Sequence, residues 1–398
     1  MTTIYTFMRR NKLLHIYLFT FGFFYYLILP LIVLIWNLFD GYPGMNYLYM
    51  YYDNSFLCDY IFISIGILFS FLLGSLMPLF YVKKRRRKEN EVVYNNAIPF
   101  FLVVFFIFAN VITYYNRGLL FSGYIGDVDI LFTGQISSIN TVFLFFLLYY
   151  IDMKDEFYTL FMFILLSIIE FSIILLGLGS RMYVFIPCIA LLVYYYDKGK
   201  LLLKNMFVIL VFLIILLLMV AIWRLGDTVV SFDKLLFMSS AEPLYTWISA
   251  VSMFSENEFC YFAFPDNFIT SFLNFIPSVL LPNKSDFIYL VDLKFDAPFG
   301  ALSLLVSLVY NFGIFGSFLA LFFLGSFFTY VRYNFSSCFG NTYYYCICSV
   351  IPFQLFRDNL SIVNKMIFYN FLIIPMVILL LSNLFKWIIV IYCNNSHE

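Results

Sequence analysis

Apolar stretches of about twenty residues recur along this chain, and no other feature limits its fold as strongly. An α-helix rises about 1.5 Å per residue, so about 20 largely apolar residues cross the hydrocarbon of a bilayer. Such stretches fall near 14–36, 60–82, 98–114, 136–151, 157–178, 182–196, 206–223, 313–331, 342–356 and 366–385. They are continuous rather than alternating, which excludes a β-barrel. Inside hydrocarbon every backbone amide must bond within its own segment, so the stretches are helices. The expected architecture is an all-α integral membrane protein of about ten transmembrane helices. Composition agrees: of 398 residues 63% are hydrophobic and 12% charged, with a mean hydropathy of +0.93. Soluble domains carry about 25% charged residues.

The net charge is zero, so the distribution of charge carries the information. With the N-terminus inside, the cytoplasmic segments hold Arg9, Arg10, Lys12, the run Lys83 to Lys88, Lys154, Lys198, Lys200, Lys204, Arg332 and Lys386. The outer side holds fewer: Arg117, Arg181, Arg224, Lys234, Lys284, Lys294, Arg357 and Lys365. This is the positive-inside pattern, and ten spans return the C-terminus to the cytoplasm. The run at 83–88 reads as a topology anchor and not as a nucleic-acid site. The first stretch, Leu14 to Trp36, is too long for a signal-peptide core and is read as a span.

Three regions follow. Residues 1–223 form an N-terminal membrane region of seven spans. Residues 224–299 form one large outer loop, with Pro243, Pro265, Pro277, Pro282 and Pro298 and many acidic residues. Its apolar patches, such as Ser271 to Leu281, are too short to span, so the loop is expected to lie over the membrane face. Residues 300–398 form a C-terminal membrane region. There, 300–331 is too long for one upright span, and a break is expected at Tyr310-Asn311-Phe312-Gly313, dividing an interfacial or re-entrant helix from the span after it.

Few residues are equipped for chemistry. The two histidines, His15 and His397, lie near opposite ends of the chain, and the seven cysteines lack metal or redox spacing. Neither a metal site nor a cofactor is expected. Arg181 sits in Gly177-Leu178-Gly179-Ser180-Arg181, a short outer turn between two apolar helices. Its glycines either turn backbone N–H groups toward an anion or make a tight left-handed turn beneath a snorkelling arginine. Arg357, beside Asp358, and Arg224 also stand at outer helix ends, against the charge bias. Together the three arginines suggest an anionic ligand at that face. Glu170, inside the fifth span, is a base, an arginine partner, a relay group or a structural carboxyl. Outer tyrosines such as Tyr245, Tyr261 and Tyr289 are candidates for stacking on sugar rings.

Several of these features resemble the O-antigen polymerases, Wzy, and the wider oligosaccharide repeat-unit polymerases. The resemblance is carried by Gly179-Ser180-Arg181 at the outer end of a mid-chain span and by one large outer loop containing Phe275 to Lys284, a proline-framed segment. It is carried also by Tyr310-Asn311-Phe312-Gly313-Ile314-Phe315-Gly316 and by Phe356-Arg357-Asp358. Members often carry an acidic residue just before the Tyr-Asn-Phe-Gly segment, where this chain has Leu308-Val309.

The resemblance implies a metal-independent membrane glycosyltransferase of GT-C type in the bacterial inner membrane, with both termini cytoplasmic. Its substrates would be oligosaccharide repeat units on undecaprenyl pyrophosphate, joined at the periplasmic face, with the bilayer, a Wzz-like chain-length regulator and a flippase as partners. Arg181, Arg224 and Arg357 would bind the pyrophosphate. Gly179, Ser180, Tyr310, Asn311 and Gly313 would line the site. Glu242, Glu170 and Asp358 are the candidate bases, Glu242 first because the loop can reach a sugar above the membrane. The rivals are a Wzx-like flippase, which would be built from paired halves, and an O-antigen ligase, for which an outer-loop histidine is expected.

Overall fold

The computed structural model describes residues 13–38, 56–77, 97–121, 133–153, 158–224, 232–255, 259–276, 280–287, 294–335 and 337–395. Among them all regular structure is helical. Seven helices are long and apolar enough to cross a membrane. They are α1 (Leu14–Ile35), α2 (Leu57–Leu76), α3 (Ala97–Tyr115), α4 (Gly134–Met153), α5 (Tyr158–Gly177), a 31-residue helix Leu304–Asn334, and a last one over Leu360–Ile391. Between α5 and the 31-residue helix come α6 (Met182–Asp197), α7 (Leu203–Arg224) and α8 (Phe232–Ser255). Leu304–Asn334 is α9, Cys338–Val350 is α10, and α11 starts at Leu360 and runs through a π-helical stretch, Lys365–Ile373, into Ile374–Asn395. The stretches expected as spans fall on helices, with two differences: 342–356 is divided, since α10 ends at Val350 and a turn leads to the short helix Gln354–Arg357, and 182–196, 206–223 and 342–356 are not among the seven helices of spanning length and apolarity.

Burial sorts these helices. In α4, 83% of the most apolar window is buried, against 22% in α3. Helix α4 is therefore the central post, packed by α5, α6, α10 and the π stretch of α11. Helix α2 shows the outward pattern: Phe62, Ile65, Phe69 and Leu73 form an exposed apolar stripe, while Tyr60, Ile63, Ile67 and Phe71 are buried. Such a stripe at helical spacing suits hydrocarbon and not water.

Helices α2 and α9 approach backbone to backbone, and small residues permit it. A methyl group on Gly74 would overlap the backbone of Phe322, and one on Gly325 would overlap that of Phe71. In the space so saved, Ser326 Oγ donates to Gly74 O at 2.9 Å and Thr329 Oγ1 to Ser75 O at 2.7 Å. Lipid offers no hydrophobic drive between helices, so close backbone approach and such bonds hold them together.

Helix α9 breaks where the sequence suggested. Gly313 lies at φ 73°, ψ 179° inside an otherwise helical run. The break frees backbone groups that hydrocarbon cannot satisfy. The irregular segment Cys260–Ala263 takes them: Ala263 N donates to Phe312 O at 3.0 Å, Ile314 N to Cys260 O at 3.1 Å and Phe315 N to Tyr261 O at 3.0 Å. A side chain on Gly313 would need a strained positive φ, and its Cβ would sit 2.7 Å from Cys260 O.

Within the region expected as an outer loop, Phe232–Ser255 is a 24-residue helix, α8. Its Leu244, Trp247, Ile248, Val251 and Phe254 are buried, and Trp247 meets Tyr60 edge-on at 4.9 Å between ring centres. Two prolines shape its contact with α1. Pro30 cannot donate a helical N–H, and the turn before it widens into a π segment, Phe24–Ile28. Pro243 likewise leaves the carbonyl of Ser239 without its helical donor, and the Tyr25 hydroxyl donates to that oxygen at 2.5 Å. Helix α8 is thereby keyed to the first span at Ser239, one helical turn before Glu242.

At the opposite end of the bundle, Arg332 Nη2 pairs with Asp197 Oδ1 at 2.6 Å, Tyr345 donates to Asp197 Oδ2 at 2.7 Å, and Lys198 pairs with Asp152. Buried His15 sits between Tyr344 and Thr329, with its Nδ1 2.9 Å from the Tyr344 hydroxyl.

Candidate functional site

Arg181 is placed by the end of one helix and the start of the next. Gly179, at φ 88°, ends α5. Ser180 N donates to Leu175 O at 2.8 Å and Gly179 N to Leu176 O at 3.0 Å. This pairing is a Schellman motif, which needs a left-handed residue where glycine stands. It also settles a point left open in the sequence. The N–H groups of Gly179 and Ser180 are spent on helix carbonyls, and that of Arg181 on Gly179 O at 3.1 Å, so none is turned toward an anion. What the turn delivers is the guanidinium.

Arg357 ends the short helix Gln354–Arg357 after α10. Its carbonyl accepts from Leu302 N at 2.7 Å, which ties the turn to the segment leading into α9. Glu242 comes from α8. The three charged groups meet: Arg181 Nη2 lies 3.6 Å from Glu242 Oε1, and Arg357 Nε lies 3.9 Å from Glu242 Oε2. Arg357 Nη1 also pairs with Asp358 Oδ1 at 3.0 Å. Tyr26 points its hydroxyl at Glu242 Oε2, 3.4 Å away. Arg181, Glu242, Arg357 and Asp358 open on a cavity of about 770 Å³ lined also by Gly179, Ser180, Tyr183, Phe237 and Tyr245, with Tyr26 buried behind Glu242.

Two features of this arrangement bear on chemistry. Charge-assisted hydrogen bonds run at about 2.7–2.9 Å, so both Glu242–arginine pairs, at 3.6 and 3.9 Å, are loose. In addition, Arg357 Nε is buried with no hydrogen-bond partner. A buried, charged N–H in that state calls for an acceptor. Asp358 is the more enclosed carboxyl: burial raises its proton affinity above the usual carboxylate range, and Arg357 opposes the shift.

Of the residues expected at a site, Arg181, Arg357, Glu242, Asp358, Gly179 and Ser180 converge on this cavity, and so does Tyr245. Glu170 does not line it; it stands part-exposed on α5. Helix α7 ends at Arg224, whose side chain lies outside the described residues, as does Tyr289. Asn311 is a structural brace: its Oδ1 accepts from Phe268 N at 2.7 Å and its Nδ2 donates to Ser307 O at 2.7 Å. Tyr310 lines a separate cavity of about 240 Å³, with Lys294 5.6 Å from its ring centre. Gly313 serves the kink in α9. Tyr261 stacks on Phe315 at 5.6 Å, away from the arginines' cavity.

Sequence reasoning missed Tyr26 and Tyr183. Both belong to apolar stretches rich in aromatics, where nothing separates a site tyrosine from a packing one. The signal that existed was Pro30, since a proline within a span predicts a local distortion.

No family model matches the chain, and no characterised protein or solved structure matches it either.

Proposed function

We propose that this protein is an oligosaccharide repeat-unit polymerase. It would be a ten-span membrane glycosyltransferase of GT-C type that joins undecaprenyl-pyrophosphate-linked units at the periplasmic face of the bacterial inner membrane. One observation supports the reading above the others: two arginines from separate helical turns converge, through one glutamate, on a single large cavity.

The reaction has a direct place there. An acceptor sugar hydroxyl attacks the anomeric carbon of the donor glycan. The bond from that carbon to the pyrophosphate oxygen breaks, and the pyrophosphate leaves with the electron pair. The hydroxyl proton passes to a carboxylate. Negative charge grows on the leaving group, and preorganised guanidinium groups stabilise it without a metal ion. Because Glu242 holds both arginines loosely, incoming phosphate oxygens compete for them. Engaging the phosphate frees Glu242 to take the proton, with Asp358 as the enclosed alternative. Tyr245 and Tyr183 supply aromatic faces for the sugars. This assignment rests on the resemblance together with the geometry.

Deletion of the gene tests the reading in cells. The surface glycan ladder is expected to collapse to a single repeat unit, restored by the wild-type gene. An unchanged ladder contradicts it.

A further inference from the structure

The turn Arg357-Asp358-Asn359 leads from the short helix Gln354–Arg357 into α11, and all three residues line the arginine cavity. Asn359 is the N-cap of α11. Its backbone carbonyl accepts from Ile362 N at 2.9 Å and Val363 N at 3.2 Å, and its side-chain Oδ1 accepts from Ser361 N at 3.1 Å. In a carboxamide only the oxygen accepts, so this bond fixes which way the side chain is turned. The Nδ2 donors then face away from the N–H that is capped. Asn359 is 7% exposed, and its Nδ2 is buried with no hydrogen-bond partner among the described residues. The oxygen of this amide is spent on the helix, and its two N–H donors are not spent.

Arg357 is in the same condition two residues earlier. Its Nη1 is taken by Asp358 Oδ1 at 3.0 Å. Its Nε stands 3.9 Å from Glu242 Oε2, beyond hydrogen-bond reach, and is buried without a partner. One turn thus brings two buried, unspent donor groups of different chemistry, a guanidinium and an amide, to one cavity. The start of a long helix borders the same cavity, since Ile362 in the first turn of α11 also lines it. That end of a helix carries partial positive charge and favours an anion. Buried donors are found paired as a rule, so two left open beside a helix start call for an acceptor that can serve both. A phosphoryl group meets the requirement. Its oxygens carry negative charge and accept from several directions at once, from guanidinium and amide together.

We propose that Asn359 is a phosphate-binding residue, and that with Arg357 Nε and the start of α11 it forms the seat of a phosphoryl group in the arginine cavity. The inference rests on the reading of that cavity as a site for lipid-linked pyrophosphate, and it adds where in the cavity the phosphate sits. Arg181 meets Glu242 through the other carboxylate oxygen, Oε1, so the seat belongs to the Arg357 side. Two sources share the chemistry: the pyrophosphate of a polyprenyl-linked glycan, or the head group of an anionic phospholipid.

Native mass spectrometry of the full chain tests this, with undecaprenyl pyrophosphate, phosphatidylglycerol and phosphate-free undecaprenol as probes. Wild type should hold at least one phosphate lipid and discriminate against undecaprenol. Asn359→Asp and Asn359→Ser separate the helix cap from the ligand. Both keep a capping oxygen of about the same worth, and both remove the amide donors. The Tm of the detergent-solubilised protein should stay at the wild-type value, while the preferred phosphate lipid binds about tenfold or more weakly, from the usual worth of hydrogen bonds to charged groups. R357A should weaken it at least as far. Preference for undecaprenyl pyrophosphate assigns the glycan carrier as the source, and preference for phosphatidylglycerol assigns the bilayer. If both Asn359 variants bind within about twofold of wild type while R357A binds weakly, the inference is overturned and the arginine reading stands. A lowered Tm in both variants, with binding lost alongside it, assigns Asn359 to the cap alone and overturns the inference too. Equal binding of undecaprenol and undecaprenyl pyrophosphate by wild type, which needs no variant to fold, removes the phosphate reading of the cavity and this seat with it.

Discussion

At the scale of single residues, Arg181 and Arg357 carry the strongest expectation. Each reaches Glu242 from a different helical turn, and in Arg357 the Nε–H is still without an acceptor. Arg181→Ala and Arg357→Ala are each expected to abolish long glycan chains while the protein still inserts. Lysine should rescue poorly, since an ammonium cannot offer the bidentate fork that guanidinium presents to phosphate. The checks are the glycan ladder and the amount of protein in the membrane. Full-length glycan from either alanine variant at normal expression would return that arginine to a snorkelling role. Both arginines were legible in the sequence because charge near hydrocarbon is expensive and stands out against the inside bias. Arg224 was singled out by the same argument, yet the rule marks a position at the membrane edge and says nothing of which arginines share a cavity.

At the scale of elements, prolines and glycines set the site. Pro243 exposes the Ser239 carbonyl, and Tyr25 satisfies it, which fixes Glu242 over the first span. Tyr25→Phe leaves that buried carbonyl without a donor and should cost about 1–2 kcal/mol. A fall in the Tm of the detergent-solubilised protein would register it, and an unchanged Tm would mean that α8 is held by its apolar face alone. The positions of the helices were readable, because twenty-residue apolar stretches dictate them. So was the break at Gly313, since a run longer than a bilayer with Asn-Phe-Gly inside it must bend. The docking of α8 into the bundle was not readable. Its polar residues, Asp233, Lys234 and Glu242, suggested a surface segment, while the burial of its Trp247 and Phe254 depends on Phe56 and Tyr60, which come from a distant part of the chain.

At the scale of the whole molecule, a polymerase of lipid-linked units needs the arginine cavity and the ion-paired cluster of Arg332, Asp197 and Lys198 to face opposite sides of the membrane. Helix α6 runs from one to the other, from Met182 beside Arg181 to Asp197. Reporter fusions at Asn90 and Lys200 should read cytoplasmic, and one at Asp266 should read periplasmic. A cytoplasmic signal from Asp266 would place the cavity on the wrong face for lipid-linked glycan.

The central claim is that this cavity transfers a glycan from one lipid pyrophosphate to another with arginines as the counter-charge. Purified full-length protein mixed with lipid-linked repeat units, in chelator and without nucleotide sugar, measures that directly. Chain growth by wild type, and its loss in Glu242→Gln, is the expected result. A strict requirement for a divalent metal would contradict the arginine mechanism, and unjoined units translocated across a vesicle membrane would contradict the transferase itself.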